Sequence, residues 1–291
     1  MASVLRRKPA DPSKSLLDMI LRDRKFTRAI VVLIFKATRL RLSRSSQKPG
    51  SVVLISAKIC IKSNSFTTLA EAEAMMYVSR STSIPVPRVY SAFEYKQRVY
   101  IVMERICGQS LSVDWAQRSS TSKAKILAQL RLVAETLRKI EVPEDAGVSN
   151  ICGGPIYDPR LPGRSHWGPF PSISAFHRQL RNGIVPEDIR DPESVPQDLR
   201  ELFLFHQQPW GKTVFTHGDL SSLNILAKGD EVVGIVDWET AAWMPCYWEY
   251  TAARDANPQN LFWREEVDKF LTPNPQAWEA EAIRKKYFGD L

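Results

Sequence analysis

The sequence predicts an α+β chain of two lobes, a small sheet-containing N-lobe followed by a mostly helical C-lobe. Three observations predict it. β-Prone runs cluster early, at residues 51–62, 88–93 and 98–103. Further on, apolar residues recur at helical spacing, clearest at Ile126, Leu130, Val133, Leu137 and Ile140. Between them MERICG, from Met103 to Gly108, changes from apolar strand to turn.

A chain of 291 residues fits one domain of two lobes, or two small domains, and is ample to bury a core, and 44% hydrophobic with 25% charged residues is an ordinary globular balance. Cys60, Cys107, Cys152 and Cys246 are scattered with no CxxC pair, which excludes a cysteine-based zinc site and a disulfide framework and points to a reduced, cytoplasmic setting. The strongest apolar run, AIVVLIF at residues 29–35, has seven residues against the roughly 20 needed to span a bilayer. The opening MASVLRRKPADPSKS lacks the apolar core of a secretory signal.

The net charge of +8 is unevenly spread. Residues 1–50 carry thirteen Lys and Arg against three acids, whereas residues 217–291 carry seven against thirteen. A basic first segment suits nucleic acid or an anionic membrane, although a solvated helix face is the commoner cause. The acidic C-terminal part would suit a cationic, amine-bearing ligand.

Taken in order, residues 1–13 are polar and proline-containing, and Leu16, Leu17, Ile20 and Leu21 begin a helical stripe after Ser13 or Ser15 that runs on towards Leu42. This stripe reads as a packing face, with an amphipathic surface helix as the alternative. SRSSQKPG at 43–50 is a loop, and SVVLISAKICIK at 51–62 is a hairpin or two short strands. Thr67 or Thr68 caps a helix, LAEAEAMMYVSR, on which Glu71 shares a face with Met75 and Val78 while Glu73 does not. Pro85 and Pro87 lead into the next two strands. Residues 121–140 form a helix whose stripe is core. Residues 141–171, rich in Pro and Gly, form loops in which His166, Trp167 and Phe170 either border a ligand or pack. His177 and His206 lie in helical patterns among aromatics without a partner at metal-ligand spacing, and read as structural. Residues 277–288 close the chain as a helix.

The chemistry concentrates in THGDLSSLNILAKGDEVVGIVDWE, residues 216–239. Residues 213–216 are β-prone; residues 224–227 and 231–236 flank a Lys-Gly-Asp turn as a hairpin. Asp219 then sits in a loop, Asn224 at the hairpin's start and Asp237 at its end. An acid followed five residues later by an amide is the spacing of HRDLxxxN, in which the Asp accepts a hydroxyl proton and the Asn binds magnesium. Here Gly218 replaces the Arg. His217 reads as a scaffold residue. Trp238, Glu239, Trp243, Tyr247, Trp248, Glu249 and Tyr250 follow, either a cage for a cation or a hydrophobic seam.

HGDLSSLNIL with GIVDWE resembles the aminoglycoside phosphotransferase and choline kinase superfamily. TSIPVPRVYSAF, YIVMERICG, GGPIYD, YWEYTAA and the closing IRKKYFGDL extend the likeness over most of the chain and look like its fungal branch. The resemblance implies a protein-kinase-like fold, with residues 1–50 a basic arm and helix, 51–104 the N-lobe, and 105–291 the hinge and C-lobe. It implies ATP and Mg²⁺ as cofactors and a hydroxyl-bearing small molecule as acceptor, with Asp219 the catalytic base and Asn224 and Asp237 the metal ligands. A phosphate-binding lysine is then needed on a strand. Lys58 and Lys62 share a parity but lie about 13 Å apart at ~3.3 Å per residue, so one serves. ICIK matches the family's pattern at Lys62, and the family's EAxAM matches Glu71, its partner. Backbone groups of Met103, Glu104, Arg105 and Ile106 would border the adenine. One departure is plain: no GxGxxG precedes the strands, and Pro49, Gly50 and Ser51 make a poor phosphate cradle. A catalytically inactive nucleotide-binding module, or a protein acting through its basic arm, are the alternatives.

Overall fold

The computed structural model describes residues 24–44, 50–163, 166–191, 194–255 and 261–289. The start of the first helix, at Ser13 or Ser15, falls outside the described residues, as does Pro49. Within them, helix α1 runs unbroken from Arg24 to Arg44.

Period-two alternation builds the N-lobe. Strands β1 (Val52–Leu54), β2 (Ile59–Lys62), β3 (Val89–Tyr95) and β4 (Arg98–Glu104) form an antiparallel sheet in the order β1-β2-β4-β3. One face, including Cys60, Ile101 and Met103, packs against Ala72, Met75 and Val78 of helix α2 (Leu69–Ser81). The other, with Ile61, Phe93, Tyr100 and Val102, packs against Val31, Val32 and Phe35 of α1. The sheet is thus covered on both sides. By the same alternation Lys62 falls on the α2 face, opposite Ile101 in register. A slip of one residue would turn it to the α1 face. Thr68 holds the N-cap position of α2 but its side chain caps nothing. Asn64 does the turning instead, its Oδ1 accepting the Phe66 and Thr67 N–H groups at 2.7 and 2.6 Å.

In the C-lobe, after the short strand β5 (Gln109–Ser110), α3 (Ser120–Arg138) buries Ile126, Leu130, Val133 and Leu137 as its periodicity predicts. Residues 141–171, read from sequence as loops, hold three short strands: β6 (Ser149–Asn150), β7 (Ile156–Tyr157) and β8 (His166–Trp167). Backbone pairing is invisible to composition when a strand has two residues. Helices α4 (Ile173–Leu180) and α5 (Gln197–Gln207) carry His177 and His206. Strands β9 (Val214–Thr216), β10 (Ile225–Lys228), β11 (Glu231–Ile235) and β12 (Ala242–Met244) follow, then α6 (Trp248–Asp255), α7 (Leu261–Phe270) and α8 (Pro275–Phe288). The last helix starts two residues before its sequence signal, at Pro275, with Asn274 Oδ1 accepting from Ala277 N at 3.0 Å. β10 and β11 form the expected hairpin, and β9 joins β12 and β6 in a separate sheet. The aromatic run after Asp237 is the seam: Trp238, Trp243, Tyr247, Trp248 and Tyr250 are all buried in the C-lobe cores.

Candidate active site

The loop between β9 and β10 is fixed from several sides. Gly218 has φ +78°, and a Cβ there would lie 2.8 Å from the Thr240 carbonyl oxygen, so both conformation and space demand glycine. His217 is fully buried; its Nε2–H donates to Val236 O at 3.0 Å and its Nδ1 accepts from Asp219 N at 3.1 Å. That pattern holds the imidazole neutral, and burial takes its pKa down to about 4. His217 therefore ties the loop to the hairpin. Glu249, in the first turn of α6, accepts the His217 and Gly218 N–H groups at 2.6 and 3.0 Å. Asp219 is thereby aimed. Its Oδ2 accepts from Asn224 Nδ2 at 2.8 Å, while its buried Oδ1 has no protein partner. Burial, with the Asp237 charge adding and Arg160 opposing, raises its pKa to about 6.

The lobes meet at Lys62. Its Nζ lies 2.9 Å from Glu71 Oε1, 2.5 Å from Asp237 Oδ1 and 2.9 Å from Glu239 Oε2. Burial alone would lower the lysine pKa; Glu71, Asp237 and Glu239 together raise it above its usual value, so the ammonium stays charged. Burial raises Glu71, with Lys62 opposing. Lys58 is exposed and its carbonyl bonds the hinge. Val236 N donates to Asn224 O at 2.9 Å, which sets Asn224 beside the end of β11. Asp237 follows with φ +65°, a left-handed conformation that Asp tolerates better than bulkier residues. In the junction, Met103 is buried on β4, the Glu104 N–H is taken by Arg88 O, and the Arg105 N–H by Lys58 O. Ile106 packs over Gly234, where a Cβ would meet it at 2.5 Å.

With this geometry in view, the comparisons fall into place. The profile of the phosphotransferase enzyme family, APH, matches residues 58–284. The chain belongs to that family. An aminoglycoside 3'-phosphotransferase of Niallia circulans is 24% identical over 180 residues, spanning 59% of this chain and 57% of the relative. The chain thus aligns with little more than half the relative's length. Two structures of aminoglycoside phosphotransferase APH(4)-Ia, solved with hygromycin B and either AMP-PNP or ADP, superpose with TM-scores of 0.57 and 0.56. Each is 16% identical and covers 85% of this chain and 87% of its own. The fold is therefore protein-kinase-like.

Two residues at this site have no role assigned from the sequence, and two lie in the aromatic run. Arg160 forks onto Asp158 through Nε and Nη2, at 2.7 and 2.5 Å, and Nη2 also donates to Gly218 O at 2.7 Å. Asp158 is held in turn by Trp248 Nε1 at 3.1 Å. The position left by Gly218, where HRD has its Arg, is thus supplied with a guanidinium from 58 residues upstream. Glu249 and Glu239 both belong to the run that the sequence leaves as either cage or seam; the contact of Glu239 is Lys62. For a metal, the donor set is an amide oxygen and carboxylates, the hard oxygen ligands that Mg²⁺ prefers. Asn224 commits its Nδ2 to Asp219, which leaves Oδ1 as its ligand atom. Three carboxylates on one ammonium leave negative charge in excess. The residues fit a divalent cation.

Proposed function

We propose that this phosphotransferase moves the γ-phosphoryl group of ATP to a hydroxyl of a small molecule, with Mg²⁺ as its metal. The observation that carries the reading is the Lys62 ammonium, bonded both to Glu71, nine residues on, and to Asp237, 175 residues on. Lys62 and Glu71 would orient the phosphates. Asn224 and Asp237, with Glu239 beside them, would hold the metal, which when bound offsets charge on the phosphoryl group. Asp219 would bond the acceptor hydroxyl and take its proton at Oδ1, the oxygen that has no protein partner. Met103 to Ile106 would border the adenine, with Ile106 backbone in the leading part because the Glu104 and Arg105 N–H groups are taken. An amine-bearing acceptor agrees with the net acidity of residues 217–291 and with the aminoglycoside relatives.

The test is melting of wild type and Lys62→Met with ATP, with Mg²⁺ and with both, followed by transfer assays on hydroxyl-bearing amines. A rise only with both, absent from the variant, supports the site; no rise in wild type defeats it. A second reading, a nucleotide-binding module without turnover, is favoured by Gly50. A Cβ there would meet nothing nearer than Val52 N at 4.0 Å, so no close approach requires glycine. ATP binding without transfer to any acceptor would select it.

A further inference from the structure

We infer that the outer face of α1 docks this protein on an anionic lipid bilayer. The helix carries seven Lys and Arg and no Asp or Glu between residues 24 and 44. Its inner face is accounted for: Val31, Val32 and Phe35 join the sheet, Phe35 meets Tyr100 edge-on at 5.6 Å, and Arg28 lies over the Phe93 ring. The opposite face should be polar if it met only water. Instead Ile30, Leu33 and Leu40 are 44%, 67% and 61% exposed, with exposed Ala37 between them. At 100° per residue these four share one stripe, flanked by exposed Lys36 on one side and Arg41 on the other.

An apolar stripe between cations is the pattern of a helix lying in a headgroup layer. Nucleic acid would use the cations but has nothing to offer exposed leucines, whereas a bilayer takes both. A second feature supports the same partner. A cleft of about 460 Å³ opens beside the stripe, between α1 and β4, lined by Lys36, Arg39, Arg98, Ser43, Leu40 and Tyr100. Three cations over an apolar floor suit an anionic headgroup. Lys62 lies on the other side of the sheet, so docking leaves the phosphotransferase site open.

The experiment is co-sedimentation of the full chain with phosphatidylcholine vesicles, with and without phosphatidylserine, at low and raised salt. Wild type should bind only the anionic vesicles and lose binding as salt rises. Lys36→Gln with Arg41→Gln should weaken binding roughly tenfold or more, and Leu33→Ser with Leu40→Ser should weaken it comparably. Both pairs are exposed, so their melting temperatures should match wild type and a lost fold cannot mimic the result. Wild type that ignores anionic vesicles overturns the inference. Vesicle binding that survives both pairs also overturns it, as does binding to duplex DNA in preference to vesicles.

Discussion

Two buried polar clusters in this protein are built on opposite terms. Around Lys62, three carboxylates from α2 and the end of the hairpin converge on one ammonium, and Asp237 and Glu239 keep part of their surface in solvent, 39% and 21%. Around His177 the polar groups pair mainly with one another, His206 Nε2 being the one atom of the group without a partner. The His177 ring stacks on His206 at 4.1 Å, its Nε2 meets Tyr247 Oη at 2.8 Å, and Arg181 Nη1 donates to His206 Nδ1 at 2.8 Å. Burial drives both histidines towards the neutral form, His177 to about 4. A polar cluster that closes on itself is part of the fold. One that holds charge out of balance and open to solvent is fitted to a ligand that restores the balance, and its stability should improve when it is spoiled.

The largest effect expected on the open cluster is chemical. Asp219→Asn keeps the shape and the loop but removes proton acceptance, so kcat should fall by about 10²–10⁴-fold, the usual worth of a general base, with the melting temperature held. Transfer at wild-type rate would remove Asp219 from the chemistry. Next comes the charge imbalance itself. Asp237→Asn leaves Lys62 with Glu71 and Glu239, so the free protein should melt no lower than wild type. The stabilisation by ATP with Mg²⁺, about 2.7 kcal/mol at a hundredfold the dissociation constant, should vanish. A variant that melts far lower yet still responds to ATP with Mg²⁺ would make Asp237 a structural residue.

What could be read in advance follows the same divide. Lys62, Glu71, Asp219, Asn224 and Asp237 were legible because each lies in a short local pattern: an apolar strand's end, a helix face, a loop and hairpin spacing. The two-lobed architecture was legible because period-two runs cluster at residues 51–103 and a period of about four takes over at 126–140. Arg160 and Asp158 were not, since they lie in a Pro- and Gly-rich stretch and reach the loop across 58 residues. Glu239 was hidden for another reason. Its aromatic neighbours suggested a cage, yet alternation along the chain turns Trp238 into the core and Glu239 back to Lys62. The exposed stripe of α1 showed in the sequence only as apolar residues at helical spacing. Which of them face the sheet is decided by tertiary packing.

The loop that aims Asp219 is fixed by backbone fit. Gly218→Ala would place a Cβ 2.8 Å from Thr240 O at φ +78°, in contact with backbone rather than a movable side chain. A cost of roughly 1–3 kcal/mol in stability is expected, with kcat reduced and the KM for ATP little changed, because the strain falls on Asp219 and not on Lys62. Wild-type stability in this variant would show that the turn has slack.

The smallest effect belongs to the closed cluster and appears only on acidification. His177 has an ordinary pKa of 6.5 and a folded value of about 4, so the unfolded chain binds its proton first. Stability from the neutral imidazole is complete above pH 6.5 and is lost as pH falls towards 4, at about 1.4 kcal/mol for the first unit. Asp219 works in the opposite sense, because its folded pKa of about 6 exceeds its ordinary 3.8 and protonation favours the fold. A single melting curve would mix the two. The difference between wild type and His177→Gln separates them: it should be constant above pH 6.5 and shrink by about 1.4 kcal/mol by pH 5.5. A difference that stays flat through that window would mean that His177 keeps an ordinary proton affinity. The closed cluster would then take up a proton near neutrality, and the contrast with Lys62 would fail.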